Sequence, residues 1–467
     1  MHPARLMDGV PRRGLGVGRW VGRHLSPERT FALSFAGMIL GGAVLLDLPI
    51  SSPAGAIGWV DALFTATSAV CVTGLSTISV SEDLSRVGQG ILLGLVQVGG
   101  LGILTFSAMF FIILGRGLDT KEQDILRSVF LYAPRRDLAD VLKFIFVSTA
   151  LCEGAGTLVL WVRFCREVPW DEALYLAAFH AISAFNNAGF SLFRDSLVGF
   201  QGDAAVNVTV MALIVAGGIG FLALDELYRR VFGNHRRLSV HTRIVLIASA
   251  VLIAAGAGLF FLFERDRALS GLPWPDRLWV CLFQSVTART AGFNTVDIGA
   301  LANGTILLLV ALMFIGASPG STGGGVKTTS AGLLFMILWS RLKGFEDVHA
   351  FNRTIPRDIL QRTIALVLAS LMFIGFTVSV LVLAEENAGS LAQSRQRLAE
   401  YIFEAVSAFG TVGLSMNLTP TLNTPQKLAV ILTMFAGRVG VLTLAFSLAR
   451  NSVRRPFRYA EEGVMVG

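Results

Sequence analysis

Charge is scarce in this chain. Asp, Glu, Lys and Arg make up 15% of its 467 residues, against roughly 25% in a soluble domain. With 53% hydrophobic residues and a mean hydropathy of +0.64, that shortage excludes an ordinary soluble protein. Cysteine is scarcer still. Cys71, Cys152, Cys165 and Cys281 show no CxxC spacing, so neither a disulfide framework nor a zinc site is expected. Cys152 and Cys281 lie in apolar runs and read as packing residues. Six histidines without an HExxH or similar cluster offer no convergent nucleophile, base or metal set, so the chain is not expected to be an enzyme. The first 28 residues are basic and glycine-rich (Arg5, Arg12, Arg13, Arg19, Arg23) and lack the apolar stretch of a signal peptide.

What is abundant is apolar sequence. Several uncharged runs exceed the roughly 18 residues that mark a spanning helix. The net charge of +7 could suggest nucleic acid, but its distribution does not. The N-terminus through Arg29, segments 116–137, 229–243 and 341–362, and the tail from Arg450 hold 25 of the 39 Lys and Arg, and the opposite loops hold ten. That is the positive-inside asymmetry, so a multi-pass protein of the cell membrane with both termini in the cytoplasm is expected. No nucleic-acid partner is expected.

One pattern occurs four times: Phe64–Ser76, Phe179–Ser191, Leu282–Asn294 and Phe403–Ser415. Each has an apolar residue ten positions before a glycine and Leu or Phe just after it. The glycines, Gly74, Gly189, Gly292 and Gly413, are separated by 115, 103 and 121 residues. Each copy reads as a spanning helix, a re-entrant helix, an extended turn and a second spanning helix. The expected fold is an all-α polytopic membrane protein with eight transmembrane and four re-entrant pore helices around a central pore. The repeats cover 29–115, 138–230, 242–342 and 358–450, between a basic N-terminus (1–28) and a tail (451–467).

The spans are expected at 30–49 and 86–114, 138–162 and 204–228, 243–263 and 303–340, and 358–384 and 426–449. The short helices are expected at 59–70, 172–185, 275–288 and 398–409. A helix of ~12 residues rises only ~18 Å, too little to cross ~30 Å of hydrocarbon, so it must dip in and return. Irregular backbone at that depth is tolerated only where protein or water meets it. The turns Val72-Thr73-Gly74, Asn187-Ala188-Gly189, Thr290-Ala291-Gly292 and Thr411-Val412-Gly413 are therefore expected to line a wet axis. Glycine permits the backbone angles that aim carbonyls inward, and rings of carbonyls can replace the water shell of potassium. The carbonyls of Val72, Thr73, Asn187, Ala188, Thr290, Ala291, Thr411 and Val412 are the expected ligands. The partly negative C-terminal ends of the short helices favour a cation there. No ring of carboxylates accompanies the turns, which argues against a divalent-cation filter.

The second spans carry small residues at Gly99-Gly100, Gly217-Gly218, Gly316-Ala317 and Gly437, suited to close helix approach. The third copy is interrupted by Gly316, Ala317, Ser318, Pro319, Gly320, Ser321, Thr322, Gly323, Gly324, Gly325 and, after Val326, Lys327. A proline and five glycines cannot continue a helix, so a flexible intramembrane loop obstructing the cavity is expected. The stretch does not fit GxxxxGK[ST], so it is not a phosphate-binding loop. In the fourth copy Arg438 replaces the second small residue, and an intramembrane Arg is a functional candidate. Contact with the loop and positive charge in the cavity are both open roles for it, and Lys327 carries the same ambiguity. Glu153 is either a structural hydrogen-bonding group or an ion site. Asn186, Asn187, Arg289, Glu404 and His180 read as braces.

The segments SAVCVTGLS, NNAGFS, TARTAGFNT and FGTVGLS, the loop SPGSTGGGVKTT, and GRVGVLTLAF around Arg438 resemble the Trk/Ktr/HKT superfamily of potassium transporters, in particular its bacterial KtrB/TrkH membrane subunits. The resemblance covers residues 30–450. It implies four M1–P–M2 repeats around one pore with one filter glycine each, and a gate made by the Gly-rich loop and Arg438. Family members with Ser at the first glycine tend to favour sodium, so Gly74 implies potassium. It further implies a homodimer in the bacterial inner membrane, resting on a separate cytoplasmic ring of nucleotide-binding RCK subunits (KtrA/TrkA-like). The nucleotide is expected on that partner, with no cofactor in this chain. The short N-terminus suits the eight-span form better than forms with two extra helices. Sodium dependence stays open. The alternative is a secondary transporter moving potassium or a small solute with sodium or protons; such proteins also use broken helices, but usually in inverted pairs of repeats.

Overall fold

A computed structural model describes residues 27–53, 55–102, 105, 138–233, 237–385 and 391–448. The basic N-terminus, the expected loop at 116–137 and the tail lie outside them. Four helices are long and apolar: α1 (Pro27–Asp47), α4 (Leu138–Phe164), α8 (Val240–Glu264) and α12 (Arg357–Leu383). Within their most apolar windows only 22–33% of residues are buried, and Leu151, Leu158, Met372, Phe376 and Leu383 lie bare on their outer faces. An apolar belt of that height suits hydrocarbon and not water.

Each long helix packs on a following shorter one: α2 (Trp59–Cys71), α5 (Trp170–Phe185), α9 (Trp274–Thr287) and α13 (Leu391–Gly410). These four form the inner layer. Phe64, Phe179, Phe283 and Phe403, from the repeated pattern, are fully buried. The fourth begins earlier than the expected 398, because Leu391–Gly410 adds a polar outer turn carrying Arg395 and Arg397.

Next in order come α3 (Arg86–Leu101), α6 (Ala204–Ile219), α10 (Asn303–Phe314) and α14 (Thr424–Val439). Three of them start on a side-chain cap, which satisfies amides that the first helical turn leaves open. Ser85 accepts from Gly88 N at 3.2 Å, Asp203 from Val206 N at 3.1 Å, and Asn423 forms a capping box with Gln426. The start of α10 has no cap of its own. The buried carboxylate of Glu264, at the end of α8, fills that role by accepting from Ala302 N at 2.8 Å and Thr305 Oγ1 at 2.5 Å.

These third helices correct the continuous spans expected at 86–114, 204–228 and 426–449. α3 ends at Gly102, with its expected continuation largely outside the described residues. α6 stops at Gly220 and turns by 105° into α7 (Phe221–Phe232). α14 stops at Gly440 before α15 (Val441–Leu448). The three glycines have φ of 86°, 97° and 91°, where residues with a Cβ are strained. In the third copy α10 and α11 (Thr328–Leu342) are separated by residues 315–327. Among the described residues, four helices are long and apolar enough to cross a membrane, and α6–α7 adds a fifth if the bent pair is one span.

A small hairpin, β1 (His349–Ala350) with β2 (Arg353–Thr354), was not expected. Its two turn residues, Phe351 and Asn352, have φ of 50° and 62°, the pattern of a two-residue turn between antiparallel strands.

Candidate functional site

The short helices bring the four turns together at their C-terminal ends. Val72 N donates to Ala69 O at 3.1 Å and Thr73 N to Ser68 O at 2.7 Å. The same pair recurs as Asn187 N to Ala184 O and Ala188 N to Ser183 O, and as Thr411 N to Ala408 O and Val412 N to Ser407 O. This is the Schellman closure of a helix, which requires a left-handed residue after the last turn. That residue is not glycine here. Val72, Asn187, Thr290 and Thr411 have φ of 58°, 59°, 76° and 50°. Three of them are β-branched, for which such angles are costly and mark strain held by the surroundings. The third turn closes differently, with Ala291 N donating to Thr287 O at 2.9 Å.

Two residues on, Gly74, Gly189, Gly292 and Gly413 also have positive φ, between 70° and 95°. Their neighbours form a closed circuit. A Cβ on Gly74 would collide with Ala188 O. One on Gly189 would lie 2.7 Å from Ala291 O, and one on Gly292 2.5 Å from Val412 O; one on Gly413 would collide with Thr73 O. Each glycine therefore abuts the carbonyl that precedes the glycine of the next copy, in the order one, two, three, four, one. The residues Val72, Thr73, Asn187, Ala188, Thr290, Ala291, Thr411 and Val412 are all fully buried around this ring.

Hydroxyl groups missed in the sequence reading pin the turns to their helices. Ser68 and Ser407 accept from Gly74 N and Gly413 N at 3.0 and 3.1 Å. Ser183 and Thr287 donate to Phe190 O and Phe293 O at 2.8 and 2.6 Å. The signal was present as a hydroxyl residue five or six positions before each glycine. On one side of the ring lies a cavity of about 690 Å³, bordered by the four glycines and by Glu82, Asp83, Asp195 and Arg194. Three carboxylates against one guanidinium give its mouth a negative bias that gathers cations.

Residues 315–327 lie on the other side. The loop is tethered, not loose. Ser318 N and Thr322 N donate to Gly218 O and Gly217 O at 3.0 and 3.2 Å, Gly325 N to Gly437 O at 3.3 Å, and Phe221 N to Gly320 O at 2.9 Å. Ser318 and Thr328 hydroxyls pair at 2.9 Å. The Lys327 ammonium donates to Gly323 O at 2.8 Å. Arg438 donates to Thr322 O of the loop and to Gly99 O, and reaches Gly100 O at 3.2 Å. Its guanidinium thus joins the break of copy one to the loop of copy three. Of the two roles left open for Arg438, contact with the loop is seen directly. The small residues have a shared location: Gly99, Gly217 and Gly437 each press on a backbone carbonyl in the last turn of the short helix of their own copy, at Val70, Phe185 and Phe409. Gly316 instead abuts Gly324 and Thr290.

The remaining candidates sit away from the ring axis. Glu153 accepts from Asn186 Nδ2 at 3.0 Å and Gln97 Nε2 at 3.4 Å, tying α4 to α5 and α3. Glu404 accepts from Ser415 Oγ at 2.8 Å and from Thr419 Oγ1. His180, nine residues before its glycine as Glu404 is before its own, pairs with Ser191 Oγ at 3.0 Å and stacks on Phe193. Both hold the segment that follows the turn. Arg289 is buried with its Nε unpaired among the described residues.

Comparison with known proteins fits this geometry. The chain is 36% identical to the Ktr system potassium uptake protein B of Bacillus subtilis, over 97% of this chain and 98% of that one. It is equally similar to the potassium/sodium uptake protein NtpJ of Enterococcus hirae, over 96% and 98%. These relatives are named as transport proteins, not enzymes. The crystal structure of the potassium transporter TrkH from Vibrio parahaemolyticus superposes with a TM-score of 0.70 at 20% identity, covering 91% of this chain and 86% of that one, which shows a shared fold. Residues 39–452 match the TrkH profile, described as a cation transport protein. With apolar helices suited to several membrane crossings and a profile match over most of its length, this chain belongs to the TrkH family of cation transport proteins.

Proposed function

We propose that this protein carries potassium into the cell through the ring formed by Gly74, Gly189, Gly292 and Gly413. The closed circuit of glycines and carbonyls carries this reading. Four short helices end at that circuit with their partly negative termini, and carbonyls held there can stand in for a potassium hydration shell. The ligands are the carbonyls of the two residues before each glycine. In this reading the four copies, 29–115, 138–230, 242–342 and 358–450, are M1–P–M2 units around one pore. Residues 316–325 with Lys327 and Arg438 form its gate, since they cross the path on the inner side of the ring.

The relatives' names support potassium as cargo, and the word "system" in one of them supports a separate partner. We assign that partner to a cytoplasmic nucleotide-binding ring beneath a homodimer in a bacterial cell membrane, with both termini cytoplasmic. The name of the Enterococcus relative also mentions sodium, which favours a second reading in which sodium is co-transported or acts as a ligand.

Flux in liposomes tests the ring. Purified protein reconstituted under a potassium gradient is expected to pass potassium in preference to sodium. Gly74→Ser, which places a side chain against Ala188 O, is expected to lose that preference. Selective flux that survives the serine would remove the ring from the pathway and bring back the coupled transporter.

A further inference from the structure

The left-handed residues of the ring do more than shape its backbone. Their side chains meet the loop at three consecutive residues, one from each of three copies. Asn187 and Thr322 share a hydrogen bond of 3.1 Å between amide and hydroxyl. With the amide oxygen accepting from Thr322, its nitrogen donates to Ala184 O at 3.3 Å and Ile214 O at 3.2 Å, so the amide is fully used. Thr290 Oγ1 lies against Gly323, where a Cβ would collide with it. Thr411 Oγ1 accepts from Gly324 N at 2.9 Å. The fourth such residue, Val72, has no polar side chain.

From this we infer that Asn187, Thr290 and Thr411 are positioning residues that latch the loop to the ring, so that closing the gate and holding the filter's backbone are one event. This rests on the reading of residues 316–325 as a gate. The physical reason is compactness. Each of these residues supplies a carbonyl to the ring from its backbone and a contact to the loop from its side chain. The contacts fall on Thr322, Gly323 and Gly324, and Arg438 and Lys327 grip the carbonyls of the same three residues from the other side. Moving the loop out therefore breaks bonds to both neighbours at once. The glycines at 323 and 324 are explained by the latch as well: a Cβ at 324 would come within 2.5 Å of Thr411 Oγ1.

The test is a double-mutant cycle on rubidium uptake into liposomes, with wild type, Thr411→Val, deletion of residues 317–325, and the two combined. Valine keeps the backbone carbonyl and the shape but cannot accept from Gly324 N. A rise of roughly threefold to tenfold, the loss of one buried hydrogen bond, is expected for Thr411→Val. The deletion should rise further, and valine should add nothing in the deletion background. Wild-type flux in Thr411→Val beside a raised flux in the deletion would overturn the latch and leave the gate standing. An equal rise from valine in both backgrounds would mean that Thr411 acts on the ring alone, again overturning it. A deletion that fails to raise flux would sink the gate, and the latch with it. Asn187→Leu carries the same cycle if the valine protein does not fold.

Discussion

Two buried cations share one loop. Arg438 and Lys327 sit among backbone carbonyls, at Thr322, Gly99 and Gly100 for the first and Gly323 and Gly324 for the second, and neither forms a salt bridge among the described residues. Such charges in an apolar span are costly. Hydrogen bonds to a charged group contribute about 1.5–3 kcal/mol each. Arg438→Gln should therefore release the loop and raise potassium flux by roughly tenfold or more, with the preference over sodium kept because the ring is untouched. Unchanged flux in the glutamine variant, measured in the same liposomes, would show that Arg438 does not hold the pathway shut. The residue types were plain in the sequence, where Arg438 breaks an apolar run. Its bond partners were not, since Thr322 and Gly99 lie 116 and 339 positions away.

Among the elements, the instructive difference is in the helices after the ring. Only the third was expected to break, because Pro319 and five glycines announce it. α3, α6 and α14 also break, at Gly102, Gly220 and Gly440, two or three residues after the small residues at Gly99-Gly100, Gly217-Gly218 and Gly437. Those earlier residues were read as helix-packing positions, and a few glycines in an apolar run do not by themselves end a helix, so the breaks were not expected. Tertiary contact makes Gly220 necessary: a Cβ there would lie 2.5 Å from Pro319 O, in a backbone conformation closed to other residues. Gly220→Ala is expected to destabilise the protein by about 1–3 kcal/mol and to lower the unfolding midpoint in detergent. A midpoint equal to wild type would show that the bend tolerates a straighter helix. The left-handed angles at Val72, Thr290 and Thr411 were hidden for a similar reason. β-branched residues argue locally against such angles, and the helix closures together with the contacts around the loop override that preference. The spacing of an apolar residue ten positions before each of the four glycines, by contrast, was readable as a repeat.

At the level of the whole molecule, closure is the property that matters, because the proposed pore needs the fourth copy to meet the first. α14 packs on α2, and Lys427 Nζ lies 2.6 Å from Asp61 Oδ1 across that seam. Both side chains are partly shielded, at 16% and 27% exposure, so the pair should contribute up to about 1 kcal/mol. Asp61→Lys alone should lower the unfolding midpoint, and Asp61→Lys with Lys427→Asp should recover most of the loss. Equal destabilisation in single and double variants would show that the seam is held by apolar packing alone.

Local sequence was enough to assign the chain to a membrane, to locate the four glycines, and to mark where one helix must stop. Those features depend on local composition: apolar runs partition into lipid, and glycine and proline limit backbone angles wherever they occur. Packing in three dimensions set which carbonyl each glycine faces, where the other three helices end, and which side chains grip the loop. The glycine–carbonyl pairs of the ring join residues more than 100 positions apart, up to 340 for Gly413 and Thr73. They follow from how preformed helices pack against one another, and no single segment of the chain carries that information.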